Sequence, residues 1–398
     1  MPVRIQSVLD KQRWRRFWLA CHLYLGLSAG LVFTVAGLTG SVLVFYIELD
    51  EIVNPSLKIS PEQAKQPLQS YEALYQAIKT SQPQRPGAWR LELPRHPQAM
   101  LMARYYRPDE KQHLQFAPLM VWVNPYTAEV VSSRFWGEYL MTWIYDLHYS
   151  LLLDKTGKTI MGIMGLVLVV SLVTGLYIWW PKTGKFKNAL TFKAKASSTR
   201  FIYDVHKING VYGFLVLLLL LISGAVLAMP EVFNPIINRV SPFYQPSANL
   251  SSPVPGSQRI SLDQAVQAAL YQFPKAALRW LETPKDAEAS YRIMLYQDGE
   301  PSQRFPKTMV WVDQYSGKTL SVRNPKEQSW GDAFINLLHP LHNGEVLGLP
   351  GRLIVFISGF MPAILMITGF LRWRQKRNAK LSAEITKPKL AHSQLAAK

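Results

Sequence analysis

Four stretches of the chain, residues 23–47, 160–180, 211–229 and 353–371, are apolar almost throughout. Each has about the 20 residues that a helix rising about 1.5 Å per residue needs to cross roughly 30 Å of hydrocarbon. Two long polar stretches between them alternate as strands do. Both open on a capping signal, Ser60-Pro61-Glu62-Gln63 and Ser261-Leu262-Asp263-Gln264, in which a hydroxyl takes an orphan amide and the glutamine reaches back. A short helix is expected over 71–79 and 264–271, followed by strands. The clearest strand is identical in the two stretches, Met120-Val121-Trp122-Val123 and Met309-Val310-Trp311-Val312, and runs into a turn at Asn124-Pro125 or Asp313–Gly317. Residues 245–256, rich in proline and serine, read as a linker. Ahead of the second and fourth runs, residues 136–153 and 332–341 put Leu140, Ile144, Leu147 and Leu151, or Phe334, Leu337 or Leu338, and Leu341, on one helical face. Amphipathic helices against the outer membrane face are expected there, each ending in a glycine-bearing turn at 154–157 or 348–351.

The pattern repeats. Residues 136–180 align without a gap on 330–374 at an offset of 194, matching Trp136-Gly137 with Trp330-Gly331, Leu147-His148 with Leu341-His342, and Thr174-Gly175 with Thr368-Gly369. At an offset of 184, His22 and Gly26 match His206 and Gly210, and Thr39-Gly40 matches Ser223-Gly224. The expected architecture is therefore an internally duplicated membrane α-helical protein, with four transmembrane helices and two exported α+β modules.

Charge orients it. Segments 1–21, 181–207 and 372–398 hold 20 Lys and Arg against 3 acids, whereas 47–147 and 230–348 hold 21 against 22. By the positive-inside rule the basic pieces are cytoplasmic and the long neutral ones exported. The net charge of +18 is thus a topology signal, and no nucleic-acid partner is expected. The resulting order is 1–47, cytoplasmic N-terminus and first crossing; 48–135, first exported module; 136–180, amphipathic helix and second crossing; 181–203, cytoplasmic loop. It continues with 204–229, third crossing; 230–329, second module; 330–374, amphipathic helix and fourth crossing; and 375–398, cytoplasmic tail. The first apolar run exceeds a secretory h-region and reads as an uncleaved anchor. A single cysteine, Cys21, excludes an intramolecular disulfide, and the lack of C-x-x-C-H excludes covalent c-type haem.

Histidines fall at repeated places. His22 and His206 start the first and third crossings on the cytoplasmic side; His148 and His342 precede the second and fourth on the exported side. One imidazole from each half at each level is the pattern of paired axial ligands for haem, with two haems expected across the bilayer. Glycines accompany each level and would let a flat porphyrin approach the helices: Gly26, Gly210, Gly175 and Gly369 inside, Gly40 and Gly224 outside. From His22 to Gly40 is 18 residues, roughly 27 Å of helical rise. Arg13, Arg15, Arg16, Arg200 and Lys207 at the inner level, and Lys158 and Arg352 at the outer, are candidate partners for anionic propionates. His339 shares roughly the face of His342 and is an alternative ligand or half of a metal pair, although its repeat counterpart is Tyr145. Small residues also pack membrane helices without any cofactor. His96, His113 and His392 lie in polar surroundings and read as solvated, and Trp122 and Trp311 as module core.

These features together resemble the PepSY-associated transmembrane family, over roughly residues 13–377. The resemblance rests on the tract from His22 through Gly26 to Leu38-Thr39-Gly40-Ser41, the Leu-His segments, Gly348-Leu349-Pro350-Gly351-Arg352 and the Thr-Gly-x-x-x-Trp helix ends. The exported modules resemble PepSY domains. The family includes iron-regulated bacterial inner-membrane proteins and ferric-siderophore reductases that use haem b. The resemblance therefore implies an oxidoreductase that reduces an Fe(III)-siderophore, or another Fe(III) chelate, on the periplasmic side. No G-x-G-x-x-G follows a strand, so a separate donor is expected, a flavoprotein reductase or a quinol. The other readings are a non-enzymatic membrane-anchored PepSY binding or regulatory protein, which leaves the recurrence of histidines by level unexplained, and a metal-ion transporter, which the scarcity of acids within the spans disfavours.

Overall fold

The apolar runs fold as helices that continue well beyond the apolar residues themselves. The computed structural model describes residues 2–181, 184–193, 197–245, 250–253 and 258–395; much of the linker expected over 245–256 lies outside them. Its helices are α1 (Pro2–Val44), α2 (Tyr46–Val53), α3 (Tyr71–Ser81), α4 (Leu140–Ser150), α5 (Asp154–Trp179), α6 (Phe186–Leu190), α7 (Ser198–Tyr212), α8 (Phe214–Ala228), α9 (Pro230–Val240), α10 (Leu262–Gln272), α11 (Trp330–His342), α12 (Gly348–Ser358) and α13 (Met361–Leu395). The strands are β1 (Trp89–Glu92), β2 (Leu101–Tyr105), β3 (Leu119–Val123), β4 (Val130–Phe135), β5 (Ala277–Glu282), β6 (Tyr291–Tyr296), β7 (Thr308–Val312) and β8 (Thr319–Arg323). The chain divides into a helical unit, 1–44, 159–228 and 352–398, and a sheet unit, 45–158 and 229–351.

In the helical unit, Gln12–Val44, Asp154–Trp179 and Glu345–Glu384 are long and apolar enough to cross a membrane. Their outward residues are apolar and bare, as at Leu31 (65% exposed), Val173 (48%) and Ile357 (60%). Such surface is stable only in an apolar surrounding, so this is a membrane protein. The expected third crossing differs from a straight rod. It is a pair, α7 and α8, bent by 60° at Gly213. A Cβ at Gly213 would stand 2.6 Å from Met361 Sδ and 2.7 Å from the Asn209 carbonyl oxygen, so there is little room for a side chain where α7 leans on α13. Helix α7 is too polar to be greasy throughout. Its Asp204 is fully buried and accepts from Arg200 Nε (2.9 Å), Lys207 Nζ (2.8 Å) and the Lys193 amide (3.3 Å), while Lys207 Nζ also donates to the Thr191 carbonyl (3.0 Å). A buried carboxylate needs these partners, and they tie residues 191–193 to α7. Small residues set the other contacts: Ser41 Oγ donates to the Phe356 carbonyl at 2.7 Å, and a Cβ at Gly165 would meet Ala225 Cβ at 3.2 Å.

The sheet unit is built on one antiparallel sheet of order β4-β3-β2-β1-β5-β6-β7-β8. Where the sequence separates two modules, the pairing of β1 with β5, Leu91 opposite Leu281, joins their strands edge to edge. Alternate strand residues, among them Leu91, Ala103, Val121, Leu281, Ile293 and Val310, are buried against Leu74 and Ile78 of α3 and Leu262, Val266 and Ala269 of α10. Strand β3 is buried on both faces, because Met120 and Trp122 enter a second cluster with Trp136 and Tyr139. Helices α3 and α10 begin where hydroxyls cap them. Ser261 and Gln264 form the expected reciprocal capping box. In the first half Ser60 takes only the Gln63 amide, at 3.2 Å, over a short turn, and Ser70 caps α3 instead, receiving the Ala73 amide at 3.1 Å. The two helix starts also cap one another: Asp263 accepts the Tyr71 and Glu72 amides, each at 2.9 Å, and Glu72 accepts the Leu262 amide at 2.8 Å. Edge strands β4 and β8 lead into α4 and α11, the helices that carry His148 and His342.

Candidate functional site

Each unit brings two of the four histidines together. In the helical unit His22 of α1 and His206 of α7 have ring centres 6.2 Å apart, with planes at 80°. In the sheet unit His148 of α4 and His342 of α11 are also 6.2 Å apart, with planes at 53°. A metal–imidazole bond of about 2 Å, plus about 1.2 Å from nitrogen to ring centre, puts two imidazoles on opposite sides of one metal about 6.4 Å apart. Both pairs stand at that separation. The angle between planes does not discriminate, since each ring turns freely about its own metal–nitrogen axis.

The backing of the inner rings fixes which nitrogen is offered. His22 Nδ1 lies 2.9 Å from the Ser171 carbonyl oxygen. A carbonyl only accepts, so Nδ1 carries the proton and Nε2 presents its lone pair. His206 Nδ1 lies 2.9 Å from Thr368 Oγ1. That hydroxyl donates to the Ile364 carbonyl at 2.5 Å, which leaves its oxygen to accept from His206 and gives the same tautomer. Orienting an imidazole through its far nitrogen is how proteins hold a ligating histidine. The residues therefore fit a group ligated by imidazoles on both sides.

The glycines divide into two kinds. A Cβ at Gly175 would lie 2.8 Å from His22 Cε1, and one at Gly369 would lie 3.4 Å from His206 Cε1. These two make room for the imidazoles. A Cβ at Gly26 would meet no described atom within 4 Å, and one at Gly210 only Leu365 Cδ2 at 3.8 Å. Open space, not a tightly packed helix, therefore lies beside Gly26, one turn along from His22. Gly40 and Gly224 are half-buried on α1 and α8 of the helical unit.

The cations are placed less simply than their sequence positions imply. Arg16 is exposed and Lys158 half-buried. Arg200 and Lys207 are held by Asp204. Arg352 donates from Nε (3.2 Å) and Nη2 (2.8 Å) to the Val44 carbonyl, closing the C-terminal end of α1. Internal polar groups thus engage three of the candidates for propionate binding.

His339 does not join the His148/His342 pair. Its ring packs edge-on against Phe305 at 5.3 Å, and its buried Nδ1 has no hydrogen-bond partner among the described residues. Burial pushes its pKa down to about 4, with the Arg304 charge adding to the effect. An unfolded histidine titrates near 6.5, so between about 6.5 and 4 the unfolded chain binds a proton that the folded chain refuses. The stability this confers is complete above that window and is lost as pH falls through it. The thermal midpoint of the full chain is expected to drop by several degrees from pH 7 to pH 5, and by less in His339→Leu. Equal drops would contradict this account. Among the other histidines His96 is partly exposed and pairs with Glu51 at 2.9 Å, His113 is exposed, and the side chain of His392 lies outside those described. Among the described residues no group of three or more His, Cys, Asp or Glu gathers as for a bare metal ion.

An apolar helical unit, a polar antiparallel sheet unit and one opposed imidazole pair in each define a membrane protein built around paired histidines. The family profile of the PepSY-associated TM region matches residues 19–376, and the chain belongs to that family. Comparison with curated proteins gives no match.

Proposed function

We propose that this protein is a haem b-containing inner-membrane oxidoreductase that delivers electrons to a ferric siderophore, or another Fe(III) chelate, on the periplasmic side. The observation that carries the reading is the 6.2 Å separation found at both imidazole pairs. Haem iron, when bound between two imidazoles, supplies reversible one-electron chemistry. The chain's own residues do the rest. His22 and His206 would hold one haem and His148 and His342 the other. Ser171 and Thr368 orient the inner rings, and Gly175 and Gly369 give those rings space. The apolar helices exclude water. Reduction frees iron because Fe(III) is held by hard oxygen ligands that bind the softer Fe(II) less tightly.

The same reading makes the chain an internal duplication, each imidazole pair drawing one ring from each half. Its basic segments and both termini are cytoplasmic and its sheet unit is periplasmic, as the charge distribution supports. The donor is a separate flavoprotein reductase or a membrane quinol. The test is the purified full chain from haem-replete cells. It is expected to show a b-type Soret band that shifts with dithionite and returns when a ferric siderophore is added anaerobically, with Fe(II) captured by a ferrous chelator. A colourless preparation would overturn the reading and favour a membrane-anchored binding protein. A coloured protein that no ferric chelate reoxidises would remove the substrate and leave the haem.

A further inference from the structure

One helical turn before His148 and His342, near Tyr145 of α4 and His339 of α11, the sheet unit holds a half-buried charge that the proposed function does not use. The loop between β6 and β7 carries Arg304 and Phe305. Phe305 lies against His339 at 5.3 Å. The Arg304 guanidinium lies over the Phe305 ring at 5.1 Å and the Tyr46 ring at 5.2 Å, and Tyr46 in turn contacts Tyr145 at 6.3 Å. The Arg304 charge acts electrostatically on both Tyr145 and His339. The loop is locked in place. Glu345 accepts from Ser302 Oγ (2.9 Å) and the Gln303 amide (2.8 Å), and Trp280 Nε1 donates to the Arg304 carbonyl at 2.6 Å.

Two carboxylates act on that charge, Glu92 and Glu345, and both are shared with other donors. Arg304 Nε stands 3.4 Å from Glu92 Oε1, but Glu92 is already bound by Arg95 (2.8 Å) and Arg104 (3.1 Å). The buried Nε of Arg304 has no hydrogen-bond partner among the described residues. Nor does the sequence repeat account for an arginine here. The offset of 189 that lays Met120–Val123 on Met309–Val312 puts Phe116 opposite Phe305 and the neutral, exposed Gln115 opposite Arg304. The first loop is held in the same way, its Gln115 amide donating to both Asp154 oxygens at 3.1 Å. The fold therefore needs the loop and the phenylalanine in both halves, and has the cation in one.

We propose that Arg304 is a positioned charge that raises the reduction potential of the centre held by His148 and His342. A fixed cation in a poorly solvated site favours the state with one more electron. It favours the reduced state of that centre while ligating nothing itself. The inference rests on the proposed function in taking that pair to hold haem.

The test is a spectroelectrochemical titration of the full chain. Arg304→Gln, which copies the neutral residue of the other loop, is expected to keep both haems per chain by pyridine haemochrome. One of the two redox components should move to lower potential and the other stay put. Arg304→Lys should stay near wild type. Should Arg304→Gln lose haem or fail to fold, Glu92→Gln decides: removing the counter-charge is expected to shift the same component upward. Unmoved components in a fully loaded Arg304→Gln, or an unmoved component in Glu92→Gln, would overturn the role of Arg304 and leave the proposed function intact. A wild-type protein without haem would overturn the proposed function itself.

Discussion

Replacing His22 or His206 with alanine is expected to remove one of two haem equivalents per chain, and replacing His148 or His342 to remove the other. Because each pair takes its rings from two different helices, loss of either partner would leave a haem at that pair with a single protein anchor. The second ring cannot follow. His22 is tethered to Ser171 and His206 to Thr368, so neither swings to compensate. Haemochrome quantitation should therefore fall by about half in each single variant, with no further loss when both members of a pair are changed. Combining one member from each pair should remove all of it. Haem content that stays whole in His22→Ala, or that vanishes entirely in every single variant, would break the assignment of two independent pairs. His339→Ala is the internal control, since its ring faces Phe305, and it should keep both equivalents.

The second large effect is expected from a residue with no ligand atom. Gly175→Leu should abolish haem binding at the His22/His206 pair while every histidine remains. The new Cβ would stand 2.8 Å from His22 Cε1, closer than non-bonded atoms approach, and a tight 3.3 Å from Nδ1, so the ring must shift from its bond to the Ser171 carbonyl. Intrinsic helix propensity pulls the other way, because leucine favours a helix over glycine by close to ~1 kcal/mol. Loss of haem with helicity retained by circular dichroism would therefore report the ring displacement and not an unfolded helix. Gly369→Leu should act in the same direction more weakly, its Cβ being 3.4 Å from His206 Cε1. Full haem content in Gly175→Leu would show that the His22 ring is free to move.

Much of this was readable in advance because the relevant signals are periodic or repeated. The apolar runs are each long enough for one crossing and the histidines recur at offsets of 184 and 194, so hydropathy and self-comparison locate helices and ring pairs together. The glycines beside them were visible as repeated Thr-Gly pairs, but the difference between Gly175, pressed on a ring, and Gly26, facing open space, depends on helix rotation and separation. Ser171 had no signal at all. It acts through its carbonyl, which every residue possesses. The bend at Gly213 was hidden because α8 alone satisfies the apolar pattern and Gly213 itself keeps helical backbone angles. Charge misled: Arg200 and Lys207 look available on a basic flank and Arg352 at the outer level, yet Asp204 and the Val44 carbonyl engage them. Arg304 escaped notice as one arginine among many, distinguishable only by setting the two loops side by side.

The seam between β1 and β5 bears on how the protein is made. Strand β1 is complete when residue 92 has emerged, but its partner ends at residue 282. For nearly 200 residues of synthesis the first half presents an open row of backbone donors and acceptors, the kind of edge that pairs with the wrong strand. A ribosome stalled in that interval would leave a sticky half-product, so biogenesis has to shield one edge until the second hairpin series arrives.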